Sequence, residues 1–201
     1  MRQFIVWCPG RCGSRLVTQV IQNHYATEYP RVFYTDYHAK TYDGDLPIIH
    51  THSVDLILSD IVGYEKVAIH RNIFDSVTSK IIMDHTNKAH IADEEDEQSF
   101  IRRYSNRKFI ARLTDFEHYC RLYDEQYSRV LASQDIKILS YEQFQDDPNT
   151  IILKELDLDV TVDYGSSLTR KIPLDKSRAI ANLDELIQIY DRLDLRYKRL
   201  G

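Results

Sequence analysis

Two short segments of this chain have the residue types and spacing needed to hold anions. Pro9-Gly10-Arg11-Cys12-Gly13-Ser14 lies between an apolar run and a stretch of helical period. At such a junction successive backbone N–H groups and the helix dipole make an anion cradle. Gly10 and Gly13 allow a sharp turn and a close approach of backbone to ligand. Arg11 adds a permanent charge with a forked donor set, and Ser14 offers a hydroxyl that either caps the helix or reaches the ligand. The second segment begins at Arg71, which closes another apolar run, and Ser79 follows eight residues later. Loops at the ends of parallel strands are where ligands meet α/β sheets. With Asp75 opening the next helix, Ser79 falls one turn into it, facing the loop. Two such sites together point to a doubly phosphorylated nucleotide.

A proton acceptor is also present. His50 and His52 share one side of a strand under period-2 alternation, and an unperturbed imidazole titrates at about 6.5. Either one has the chemistry of a general base, and either can equally be a strand histidine with a structural hydrogen bond. Cys12 sits inside the anion loop, where a helix N-terminus lowers a thiol pKa. A phosphatase-type nucleophile, however, needs arginine five residues further on, where this chain has Val17. There is no G-x-x-x-x-G-K-S/T and no G-x-G-x-x-G, so the standard triphosphate loop and the dinucleotide fingerprint are both missing. No H-E-x-x-H or C-x-x-C pattern supports a metal site.

The elements that must position these residues are legible in the periodicity. Phe4–Cys8 reads as a buried strand. Leu16, Val17, Val20, Ile21 and Tyr25 form one stripe of a helix starting at Ser14. Further strands are expected at Pro47–Thr51, Lys66–His70 and Ile136–Leu139, and helices over Val54–Val62 and Asp75–Met83. A long helical period runs from Phe109 to Val130, with Asp147-Pro148 closing the loop after the last strand. Asn182 and Glu185 form a capping-box start for a helix through Leu193. The acidic block Asp93–Glu97 reads as a solvated loop. Strands alternating with helices, with no repeats and no linker, predict an α/β fold: a three-layer sandwich around a mostly parallel sheet, in one domain spanning residues 1–201.

Bulk composition narrows the class. Net charge is −5 over 201 residues, which argues against broad nucleic-acid binding. No run approaches 18 apolar residues and no secretory start is evident, so a membrane span is not expected. Three cysteines cannot all pair within the chain, and so few suit a reducing, cytoplasmic setting.

Taken in order, four segments resemble the sulfotransferase family that uses 3′-phosphoadenosine 5′-phosphosulfate (PAPS). Val6–Leu16 looks like its 5′-phosphosulfate loop, and Val67–Ser79 like its 3′-phosphate segment with the arginine-to-serine spacing. Ile48–His52 resembles the strand end carrying the catalytic histidine in several branches. Leu139–Pro148 is similar to the tyrosine–glutamate stretch after a late strand. Together they span most of Ile5–Pro148. Arg15 stands where a small hydroxyl residue is usual, and is either a second arginine for the 5′ phosphate or turned away. Arg170-Lys171 is the closest match to the family's late basic segment.

The resemblance implies a P-loop-like nucleotide-hydrolase type of fold and in-line transfer of a sulfuryl group from PAPS to a hydroxyl or amine, with adenosine 3′,5′-bisphosphate leaving. In that frame Gly10, Arg11, Cys12, Gly13, Ser14 and Arg15 take the 5′ phosphate, Arg71 and Ser79 take the 3′ phosphate, Arg11 stabilises the leaving group, and His52 or His50 is the base. The acceptor is a small molecule, a glycan or a peptide. The chain is short for the family, so the acceptor pocket is expected to be either open or completed by a partner subunit in a homo-oligomer. Two other readings share these residues: a small-molecule kinase with a degenerate phosphate loop, and a non-catalytic nucleotide-binding protein of the same fold.

Overall fold

The structure is a computed structural model and describes residues 2–25, 33–36, 46–87, 98–99, 107–160 and 176–198. The acidic block at 93–97 and the Arg170-Lys171 pair lie outside the described residues.

Among the described residues five strands form one sheet: β1 (Gln3–Trp7), β2 (Phe33–Asp36), β3 (Ile48–Thr51), β4 (Tyr64–His70) and β5 (Ile136–Ser140). Their order is β2-β3-β1-β4-β5 and every pairing is parallel. Side chains alternate between faces along a strand. The unbroken burial of Phe4–Trp7, Ile48–Thr51 and Lys66–His70 therefore means that both faces of these strands are covered. The expected α/β class with a parallel sheet is what the chain forms. From β1 the chain runs to one side of the sheet for β2 and β3, then crosses to the other for β4 and β5. The order reverses at β1, so the loops after β1 and β4 flank the switch point, where α/β sheets bind ligands.

The helices are α1 (Ser14–Tyr25), α2 (Val54–Leu58), α3 (Ile73–Thr86), α4 (Leu113–Val130), α5 (Tyr141–Phe144), α6 (Pro148–Glu155), α7 (Lys176–Ala179) and α8 (Leu183–Arg192). Among the described residues no helix is long and apolar enough to cross a membrane. The chain folds as two compact units, one of Met1–Arg71, Glu125–Leu168 and Arg199–Gly201, the other of Asn72–Asp124 and Thr169–Lys198.

The first unit holds the sheet. Within it α1 packs on α6, burying Val17, Val20 and Ile21 of one helix and Ile152 and Leu153 of the other. Each such side chain contributes about 1.5–3 kcal/mol when fully buried. α2 ends at Leu58, four residues short of the expected end, because Ser59 turns its hydroxyl (2.6 Å) and its N–H (3.2 Å) onto the Leu56 carbonyl. Val62 is left exposed. Asp147-Pro148, read as a loop closure, instead starts α6. Asp147 accepts the Thr150 N–H (3.2 Å), and Pro148 takes a first-turn position where its missing N–H costs nothing.

The second unit is built around aromatic contacts. Phe74 meets Phe116 and Tyr190 with ring centroids 5.7 and 5.3 Å apart, and His85 stacks on Phe109 at 3.9 Å. α3 opens two residues earlier than Asp75, because Asn72 is its cap and accepts the Asp75 N–H (3.2 Å). α4 starts at Leu113 rather than Phe109. Phe109 instead bridges the chain beside Ile180, with N–H···O bonds of 3.0 Å to Ala179 and 2.8 Å from Ala181. Asn182 does stand at the cap of α8, but its side chain makes no cap bond there. It grips the backbone of Ala111 at both ends, accepting at 2.9 Å and donating at 3.0 Å. A long-range backbone pairing has taken the side chain that the local pattern assigned to a capping box.

Candidate active site

The loop between β1 and α1 takes the shape its glycines require. Gly10 and Gly13 have φ of +128° and +86°, and Arg11 between them is left-handed at +56°. A non-glycine residue in that region costs about 1–2 kcal/mol, so something must hold it. Arg71 does: its Nη1 donates to the Arg11 carbonyl at 2.6 Å. Gly13 accepts the first intrahelical bond of α1, from Val17 N–H at 3.1 Å. The N–H groups of Ser14, Arg15 and Leu16 thus belong to the turn that has no intrahelical partner.

A second tie runs through Tyr127 on α4, which is wholly buried. The Arg71 N–H donates to the Tyr127 hydroxyl at 3.1 Å, and that hydroxyl lies 3.2 Å from Cys12 Sγ. Cys12 in turn donates its S–H to the Gly10 carbonyl at 3.0 Å. Burial first, then the neighbouring Cys12 and Cys8 sulfurs, holds the phenol well above its usual range, so it stays protonated. Arg71, Tyr127, Cys12 and the Gly10 carbonyl are thus linked from the end of β4 into the loop, and the Tyr127 hydroxyl also lies 3.4 Å from the Arg71 carbonyl.

Arg71 is 5% exposed, and its guanidinium carbon lies 4.4 Å from the centre of the Tyr141 ring. Nε is buried with no hydrogen-bond partner, and among the described residues no carboxylate pairs with the guanidinium. Its neighbour His70 is also buried, with Nε2 unpartnered. Burial lowers the His70 pKa, and the nearby Glu142 carboxylate opposes that only in part. His70 is therefore neutral at neutral pH and adds no second positive charge beside Arg71.

The two histidines have different surroundings. His50 is 4% exposed, and its Nε2 lies 2.6 Å from Ser14 Oγ. Ser14 Oγ also lies 3.2 Å from Cys8 Sγ, so this hydroxyl is turned into the protein. His52 is half-buried. The register Trp7↔Thr51 brings it beside Cys8, whose carbonyl accepts from Nδ1 at 2.6 Å, with Cys8 Sγ 3.7 Å away. A carbonyl only accepts, so Nδ1 carries a proton and the basic lone pair of the neutral ring is on Nε2.

Cys8 has no exposed surface. Burial pushes its thiol up, but hydrogen bonding from Cys12, the positive charge of His52 and bonds from His50 and His52 together outweigh it, and the thiol titrates well below its usual range. His52 moves the other way: burial lowers it, while the Cys8 charge and the bonds to Cys8 raise it above the ordinary imidazole value. A neutral Cys8 donates to Ser14, whereas the thiolate accepts from it. The direction of both shifts favours the thiolate beside an imidazolium. Lacking access to solvent, Cys8 acts on His52 rather than on a substrate.

The structure thus gathers Gly10, Arg11, Cys12, Gly13, Ser14, His50, His52 and Arg71 at the C-terminal ends of β1, β3 and β4. Arg15 lies exposed in the first turn of α1, and Ser79 is part-exposed on α3 in the second unit. Three contributors escaped the sequence pattern, Cys8, His70 and Tyr127, while Tyr141 lies in the tyrosine–glutamate stretch but had no role assigned to it. Strand register would have located Cys8 and Tyr141, since His70 pairs with Ser140, but nothing local marks Tyr127. Among the described residues no group of three His, Cys, Asp or Glu side chains converges as a metal site.

No family model matches this chain, and no curated protein matches it. Seven solved chains do. One is the crystal structure of a sulfotransferase from Alicyclobacillus acidocaldarius, at 11% identity and a TM-score of 0.44, covering 83% of this chain and 86% of that one.

Proposed function

We propose that this protein is a sulfotransferase that binds PAPS and transfers its sulfuryl group to a hydroxyl or amine acceptor. The observation that carries the reading is Arg71: a buried guanidinium at the sheet's switch point, with Nε unpartnered and no carboxylate beside it among the described residues. A buried charge of that kind costs several kcal/mol unless an anion meets it. Its nearest built-in partner is the carbonyl of the glycine loop, so an anion on Arg71 sits close to a second anion on the loop amides. A nucleotide with a 3′ and a 5′ phosphate has that form, and the sequence resemblance names the same pair of segments. The assignment of Ser79 to the 3′ phosphate rests on its spacing from Arg71 in the sequence.

In this reading Arg11 and the amides of Gly13 and Ser14 stabilise charge developing on the leaving 5′ phosphate. Sulfuryl transfer moves less charge than phosphoryl transfer, which suits a loop without a magnesium-binding hydroxyl. His52 accepts the acceptor's proton at Nε2, its ring held by the Nδ1–H bond to the Cys8 carbonyl. Because Cys8 favours the imidazolium, His52 becomes a base only above its raised pKa, so the rate increases with pH through a point above about 6.5. His50, spent on Ser14, orients the loop serine instead.

The experiment is a thermal-shift comparison of adenosine 3′,5′-bisphosphate with magnesium-ATP. The bisphosphate at 100 times Kd should stabilise by about 2.7 kcal/mol. A clear shift with magnesium-ATP and none with the bisphosphate would replace this reading with a kinase. Binding of the bisphosphate with no sulfuryl transfer to any acceptor class, unchanged in His52→Ala, would leave a non-catalytic nucleotide-binding protein.

A further inference from the structure

The Tyr141 ring touches both candidate anion sites at once. Its edge lies against Gly13, where a Cβ would stand 2.6 Å from Cδ2 and 2.8 Å from Cε2 of the ring. Its face carries the Arg71 guanidinium at 4.4 Å from the ring centre. Arg71 Nη1 then returns to the loop, at 2.6 Å from the Arg11 carbonyl. Ring, guanidinium and loop carbonyl close a triangle, with Phe144 supporting the ring edge-on at a centroid distance of 5.4 Å. Tyr141 is in place because it follows β5 directly, and Ser140 pairs with His70, the residue before Arg71.

We propose that Tyr141 is a positioning residue that fixes the distance between the loop amides and the remaining donors of Arg71, and so makes the site prefer a ligand with two anions over one with a single 5′ phosphate. The inference rests on the nucleotide reading given above. Two physical facts support it. A planar guanidinium on a flexible stem has many poses, and an aromatic face at this distance selects those parallel to the ring. The glycine at position 13 is what allows the ring so close, since any side chain there would push it away. The three contacts described are all made by the ring, so on this inference the ring should suffice.

The test is isothermal titration of adenosine 3′,5′-bisphosphate and adenosine 5′-phosphate into the wild type, Tyr141→Phe and Tyr141→Leu. Tyr141→Phe should keep the ratio of the two affinities. Tyr141→Leu should weaken the bisphosphate by about 2- to 30-fold, the range of a guanidinium–aromatic contact, while changing the 5′-phosphate by less than about 2-fold. Equal losses for both nucleotides, or an unchanged ratio in Tyr141→Leu, would overturn the inference by reducing the ring to loop support. A Tyr141→Phe that behaves like Tyr141→Leu would overturn it too, by moving the effect to the hydroxyl. If circular dichroism shows Tyr141→Leu to be unfolded, Tyr141→Met fills the volume without a ring and carries the same expectation and the same refutation. A wild type that binds neither nucleotide removes the functional reading itself, an outcome distinct from all of these.

Discussion

Replacing Arg71 by methionine separates the charge of this residue from its packing. The substitution keeps a long unbranched chain in a site that is 5% exposed and removes every side-chain donor. Two contacts are lost in the free protein: the 2.6 Å bond to the Arg11 carbonyl and the stack on Tyr141. A net intramolecular hydrogen bond contributes about 1 kcal/mol and the stack about 1 kcal/mol. Against them stands the relief of a buried charge whose Nε has no partner. The opposing effects should leave unfolding free energy within about 1.5 kcal/mol of wild type. Binding is different. A 3′ phosphate that takes even one charge-assisted bond from Arg71 gains about 1.5–3 kcal/mol, or roughly 10- to 150-fold in Kd. Any slackening of the Arg11 loop weakens both nucleotides alike, so the ratio of bisphosphate to 5′-phosphate affinity isolates the 3′ contact. Isothermal titration of both ligands, with urea denaturation of the free proteins, reads each part. A ratio unchanged within about 2-fold, or a stability loss above about 3 kcal/mol, would show that the protein itself satisfies this arginine and would refute the argument.

The other perturbations are simpler. Tyr127→Phe keeps the ring and deletes the hydroxyl that accepts the Arg71 N–H. It should cost about 1–3 kcal/mol by leaving a buried donor unsatisfied, and a loss under about 0.3 kcal/mol in urea denaturation would contradict the network. Gly13→Ala meets both a φ of +86° and a ring at 2.6 Å, so destabilisation of about 2–5 kcal/mol is expected. A Gly13→Ala protein with wild-type Tm would mean that the loop and Tyr141 are not in contact. Cys8→Ser removes the ionisable sulfur beside His52 while keeping a hydroxyl for Ser14. The His52 pKa should fall, because the charge that raises it is gone; a histidine NMR titration of both proteins measures this, and an unmoved or higher value would argue against the coupled pair.

Where the determinants are local, residue types reveal the outcome. The run read as a strand at Phe4–Cys8 forms over Gln3–Trp7, the strand expected at Pro47–Thr51 forms over Ile48–Thr51, and Val17, Val20 and Ile21 are the buried stripe of α1. The glycine loop adopts the left-handed conformations that Gly10 and Gly13 permit. Local signals mislead where two of them compete, or where a distant partner intervenes. Asn72 and Asp75 both suit a helix start, and Asn72 prevails as the cap. Asn182 fits a capping box, yet its amide matches the N–H and the carbonyl of the Ala111 backbone, and that pairing prevails. Strand β2 lies in a stretch with no periodic signal and forms by pairing with β3.

Residue types and short spacings thus suffice for the α/β class, the glycine loop with Arg11, the strand-end Arg71 and the pair of histidines. Each of these depends on neighbours a few positions away, which the chain carries at every point along its length. The assembled sheet was needed for the rest: that Arg71 holds the Arg11 carbonyl, that Tyr127 and Tyr141 tie the two anion segments together, and that Cys8 rather than a carboxylate adjusts His52. These contacts join residues from 44 positions apart, as for Cys8 and His52, up to 128, as for Gly13 and Tyr141. They follow from the order and register of five parallel strands, and a period of two or of 3.6 residues contains no information about which strand lies beside which.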